Sequence, residues 1–96
     1  MKTREEILGI LRTHKQSLMS RYPISSIGLF GSYARNEATT QSDVDVIVEV
    51  NGKMGLRFVR LAHDLEDLLE MKVDLVAKNA IEQRYIPYVM ADIITV

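Results

Sequence analysis

The chain has no cysteine. Disulfide staples and thiolate zinc sites are therefore excluded, and a reducing cytoplasmic setting is the expectation. It also lacks an excess of either charge. Lys and Arg number 12 against 13 Asp and Glu, for a formal net charge of -1. That balance speaks against a general electrostatic grip on duplex nucleic acid. No apolar run approaches the ~20 residues that a membrane-spanning helix needs. The opening Met1-Lys2-Thr3-Arg4-Glu5-Glu6 is charged from the start and unlike a signal peptide. There is no repeat, linker or low-complexity segment. With 96 residues, the chain has room for one modest core but not for a catalytic domain plus a separate substrate domain. Residues 1–96 are expected to form one domain.

What is present begins with a helix. Thr3 and Glu6 have capping-box spacing, and Ile7, Leu8, Ile10, Leu11, Leu18 and Met19 follow at helical intervals, which predicts a helix from about Thr3 to Arg21. Tyr22-Pro23 ends it. Ile24 to Phe30 reads as a strand running into a Gly31-Ser32 turn, and Ser32 to Ala38 as a short helix. Asp43 to Val50 is the clearest strand. Its Val44, Val46, Val48 and Val50 face must be core, while Asp43, Asp45, Ile47 and Glu49 form a face that starts acidic and becomes apolar. Leu56, Val59, Ala62, Leu65 and Leu69 predict a second long helix over about 56–71. Lys72 to Ala77 reads as a third strand with Asp74 inside it. Lys78-Asn79 is a turn, Ala80 to Tyr85 is helical and broken near Pro87, and Ile93 to Val96 reads as a short last strand. The fold class is α/β (α+β), a small mixed sheet with helices mainly on one face.

The chemistry is concentrated in two places. Gly31-Ser32 can offer backbone N–H groups and a hydroxyl to a phosphate; it can equally be a tight turn with an N-cap serine. No Walker A loop is present. Asp43 and Asp45, one residue apart on a strand, point to the same face and suit divalent cations, although Asp is also common in turns that enter strands. A calcium loop is not the reading, because Val46 and Ile47 follow where further oxygen ligands and a glycine belong. Asp74 is either salt-bridged to a Lys or Arg, or a third carboxylate beside the first two; in the middle of a strand, burial would make it costly without a partner. His14 and His63 lie on predicted helices away from these residues and read as surface or packing histidines. Met19, Met54, Met71 and Met90 read as core fillers. Arg84, Tyr85 and Tyr88 form either a partner-contacting patch or a half-exposed C-terminal segment.

Gly31-Ser32-Tyr33-Ala34-Arg35-Asn36-Glu37-Ala38, followed by Ser42-Asp43-Val44-Asp45, resembles the signature of the DNA polymerase beta-type nucleotidyltransferase superfamily. The short length and the Ala-Arg-x-Glu-Ala spacing look most like its minimal nucleotidyltransferase branch, many of whose members are antitoxins paired with a HEPN-domain ribonuclease toxin. The resemblance implies two Mg²⁺ ions held by Asp43, Asp45 and Asp74, ATP as donor, and a phosphate-binding turn at Gly31 and Ser32. It implies Asp74 as the group that assists deprotonation of the acceptor, and a protein hydroxyl of the HEPN partner as that acceptor. Arg35 would meet triphosphate oxygens or pair with Glu37 or Asp43. Asn36 stands where the family usually has Gly. A non-catalytic module that binds nucleotide and neutralises a toxin by occlusion, and a small-molecule nucleotidyltransferase subunit, remain alternatives. A homo-oligomer is compatible with the sequence.

Overall fold

A computed structural model describes residues 2–96. Helix α1 (Arg4–Arg21) starts where the capping box predicts. Thr3 Oγ1 accepts from Glu6 N at 3.1 Å, and the Glu6 carboxylate accepts from Thr3 N at 2.9 Å. Two orphan donors are thereby satisfied reciprocally. The helix stops at Tyr22, which is extended because the proline after it disfavours helical backbone. Strand β1 (Ile24–Phe30), helix α2 (Gly31–Ala34), strand β2 (Val44–Val50), helix α3 (Arg57–Leu69) and strand β3 (Val73–Ala77) follow. After two 3₁₀ turns come helix α4 (Ile86–Met90) and strand β4 (Ile94–Thr95).

The sheet order is β3-β2-β1-β4. β2 and β3 are parallel, and the other neighbours are antiparallel. Helices α1 and α3 cover one face. There Ile7, Leu11 and Leu18 of α1 and Leu61, Leu65 and Leu69 of α3 meet Ile27, Leu29, Val44, Val46 and Val48. All of these are 1% exposed or less. Burial on this scale contributes roughly 1.5–3 kcal/mol per side chain. The valine face of β2 is core, as its alternation requires.

The opposite face of the sheet carries Ser26, Gly28 and Phe30 of β1, Asp45, Ile47 and Glu49 of β2, and Asp74 and Val76 of β3. Its middle is apolar. Ile47 is buried beneath the C-terminal segment, with Ile86, Val89, Met90 and Ile93 around it. Gly28 makes this close approach possible, since a Cβ there would lie 2.9 Å from Ile93 Cγ2 and 3.3 Å from Ile47 Cγ2.

Several expectations are corrected. The α3 stripe is Leu61, Leu65 and Leu69, whereas Leu56 and Val59 are 89% and 52% exposed. Val59 lies two residues before Leu61, about 200° around a helix of 3.6 residues per turn, and so faces away from the sheet. α3 stops at Leu69, because Glu70 adopts a left-handed backbone with φ 53°. Residues 80–85 are not one helix, and Pro87 does not break one; it sits in the first turn of α4, where its missing N–H has no intrahelical role. Met90 is 44% exposed and lies over Ile47 instead of filling the core under the helices, while Met19, Met54 and Met71 pack half-buried against that core. His14 bonds the Ile10 carbonyl within α1 at 3.0 Å, and His63 is exposed on α3. Among the described residues no helix is long and apolar enough to cross a membrane.

Candidate active site

The acidic end of this second face is built by three neighbouring strands. β1 ends at Phe30, whose register partner on β2 is Asp45. The next residue, Gly31, has φ +73°. A Cβ at Gly31 would overlap the Asp45 carboxylate, with Asp45 Cγ only 2.9 Å away. Glycine is therefore required twice, for its backbone and for the carboxylate packed against it.

The turn after it is tighter than the sequence suggests. α2 is four residues long, not the expected helix over 32–38. It closes with a Schellman arrangement: Glu37 N donates to Ser32 O at 2.8 Å, and Asn36 N donates to Tyr33 O at 3.1 Å. This motif needs a left-handed residue just past the helix, and Asn36 supplies it with φ 59°. The substitution of Asn for the family's Gly thus leaves the turn intact. Ser32 is not an N-cap. That position falls to Phe30, which makes no side-chain capping bond. Ser32 stands half-buried in the first turn, whose N–H groups have no intrahelical partners.

Asp43 lies just before β2 and is exposed. Asp45 is half-buried, and its register partner on the parallel strand β3 is Asp74. Neighbouring strands run about 4.8 Å apart, so these two carboxylates rise side by side from one face. Burial lifts the Asp45 carboxyl above its ordinary range; the charges of Asp74 and Asp43 lift it further, and Arg35 opposes them. Asp74 corrects one expectation. It is exposed on an edge strand, so burial exacts nothing from it, and among the described residues it has no Lys or Arg salt-bridge partner. What argues for it is its place in register, not its desolvation.

Arg35 caps the C-terminus of α2. Its Nε donates to Glu37 and its Nη1 to Asp92, both at 3.2 Å. The expected pairing with Glu37 is present; Asp43 is not a partner. Asp92 was missed by sequence reasoning, because it lies 57 residues from Arg35 and belongs to no motif. Arg84, Tyr85 and Tyr88 are exposed on the C-terminal segment. Arg84 lies 4.9 Å over the Tyr85 ring and pairs with Glu82 at 2.9 Å. Among the described residues no three acidic or imidazole side chains enclose a point where a metal ion would sit. The acidic end is an open edge, not a cage.

A carboxylate-bearing strand edge thus meets a Gly-Ser turn on a small mixed sheet. Residues 11–94 match the nucleotidyltransferase domain family, and the chain belongs to that family. Within it the chain is a minimal nucleotidyltransferase. It is 40% identical to the protein adenylyltransferase MntA of Thermococcus cleftensis over 97 residues, covering 100% of this chain and 98% of that protein. A Methanocaldococcus jannaschii relative, provisionally named a protein adenylyltransferase, is 52% identical over 87 residues, covering 90% of this chain and 89% of its own. A solved structure provisionally described as a minimal nucleotidyltransferase superposes with a TM-score of 0.76 at 31% identity, covering 97% of this chain and 95% of that one. The fold also matches a chain from the complex of tri-AMPylated Shewanella oneidensis HEPN toxin with MNT antitoxin. There the TM-score is 0.59 at 22% identity, with 96% of this chain and 66% of that one covered.

Proposed function

We propose that residues 1–96 act as one nucleotidyltransferase domain that transfers AMP from ATP to a hydroxyl on a HEPN-type toxin, silencing it as an antitoxin. One observation carries the reading: the Gly31-Ser32 turn packs directly on Asp45, whose register partner is Asp74. A phosphate cradle and a carboxylate pair are thus brought to the same edge. The names of the adenylyltransferase relatives support AMP as the group transferred. The Shewanella oneidensis complex, in which a HEPN toxin is tri-AMPylated, supports the class of partner.

The donor set fits a hard divalent cation, because it consists of carboxylate oxygens only. Asp43, Asp45 and Asp74 would hold two Mg²⁺ ions, with the nucleotide phosphates completing their shells, which suits an open edge. Bound there, the ions would neutralise charge on the entering and leaving oxygens. Ser32 and the first-turn amides of α2 hold the β- and γ-phosphates, so that pyrophosphate is oriented to leave in line. Arg35 meets triphosphate oxygens from the end of the same turn. Asp74, exposed and at the sheet edge, is the group the acceptor hydroxyl reaches, and it takes the proton.

The test is calorimetric. Wild-type protein is expected to bind ATP measurably only with Mg²⁺ or Mn²⁺ present, and the double variant Asp43→Asn with Asp45→Asn to lose that binding while still folding. Equal Mg-ATP affinity in the double variant would remove the carboxylates from the site.

A further inference from the structure

Arg35 is a long, exposed side chain, and such a side chain is not held in one place without partners. Here it has two. Glu37 is a local one, two residues along the same turn. Asp92 comes from the other end of the chain and is itself fixed. Its N–H donates to Val89 O at 3.3 Å, and two residues later Ile94 pairs with Leu29 of β1. Asp92 is thus tied down beside the strand that delivers the Gly31-Ser32 turn.

The pinned guanidinium keeps donors to spare. Of its five N–H groups, Glu37 engages the one on Nε and Asp92 one on Nη1. Three remain, including both on Nη2, so an oxyanion can be met without releasing either carboxylate. The held side chain belongs to the residue that ends the turn whose Gly31 packs on Asp45, and the Arg35 charge is near enough to act on Asp45.

We infer that Asp92 is a positioning residue for nucleotide: by fixing Nη1 of Arg35 it aims the free edge of the guanidinium at the triphosphate. The inference rests on the reading of Arg35 as a phosphate contact. Without Asp92 only the Glu37 bond on Nε holds the side chain, so Nη1 is released, and ordering it again on each binding event weakens affinity. A contact made equally in the ground and transition states affects binding more than turnover.

The experiment measures Mg-ATP affinity by calorimetry, alongside KM and kcat, in Asp92→Ala, Asp92→Glu, Arg35→Ala and the double variant. Asp92→Ala is expected to weaken ATP binding about three- to tenfold with kcat nearly unchanged. Asp92→Glu should recover most of the loss. In the double variant the affinity should equal that of Arg35→Ala alone, because Asp92 acts through Arg35. Additive losses in the double variant would overturn the inference. So would tighter ATP binding in Asp92→Ala, which would mean that the carboxylate chiefly repels the phosphates. A lowered melting temperature with unchanged affinity would reduce Asp92 to a tether for the tail. Affinity is read without any acceptor, so a wild type that binds ATP but transfers nothing would count against the proposed reaction and leave the Asp92 comparison intact.

Discussion

Asp45 sits at the centre of the site and is the residue least at ease in it. Burial and the neighbouring Asp74 and Asp43 charges raise its carboxyl above the ordinary 3.8. A group whose folded pKa is raised favours folding most when protonated. That contribution is present below about pH 3.8 and is lost as pH rises through the raised folded value. Asp45→Asn removes the charge at every pH. In metal-free buffer it is therefore expected to melt higher than wild type at pH 7, with the difference closing below about pH 3.8. Thermal melts across pH check this, and a variant that melts lower than wild type at pH 7 would contradict it. The strained carboxylate is what a cation would relieve, which joins the residue's discomfort to the proposed chemistry. The acidic pair was legible from Asp-x-Asp at the start of a valine run, because period-two alternation puts both carboxylates opposite the core. The packing of Gly31 onto Asp45 was not, because it depends on the register between β1 and β2.

Among the elements, α2 decides the shape of the proposed phosphate turn. Its four residues end in the Schellman bonds from Glu37 and Asn36, and Asn36 holds the left-handed position. Asn36→Gly is expected to leave stability unchanged within about 0.5 kcal/mol, since glycine takes that backbone freely. Asn36→Val should cost about 1–2 kcal/mol, the penalty of left-handed backbone for an ordinary side chain. Urea unfolding separates the two, and equal midpoints would show that the turn does not depend on this φ. The boundaries of α1 and β1 were legible because a capping box and a Tyr-Pro pair are local signals. Those of α2 and α3 fall short of the predicted ends because the stop is a left-handed residue in each, Asn36 and Glu70; Asn is a weak stop signal beside Gly, and Glu is none. The C-terminal segment is the least legible part of the sequence. Its helix forms around Pro87, and what holds it is tertiary: Ile47 beneath it, and the passage of Ile93 over Gly28.

At the scale of the whole molecule, the sheet divides the labour. One face is sealed by α1 and α3 and supplies the stability. The other is apolar only in its middle, where the C-terminal segment lies, and acidic at the edge where the Gly31-Ser32 turn arrives. Among the described residues no second lobe covers this edge, so the proposed acceptor hydroxyl would come to an open edge, which a protein partner can do. Asp74 stands at that edge, exposed and beside Asp45. The central claim is that this edge performs transfer and does not merely bind. Intact-mass measurement of a HEPN-type partner, incubated with the protein, ATP and Mg²⁺, tests it most directly. The partner is expected to gain one or more AMP units with wild type and none with Asp74→Asn, although that variant still binds it. Full neutralisation of the partner with no change in its mass, equally by wild type and Asp74→Asn, would contradict the account.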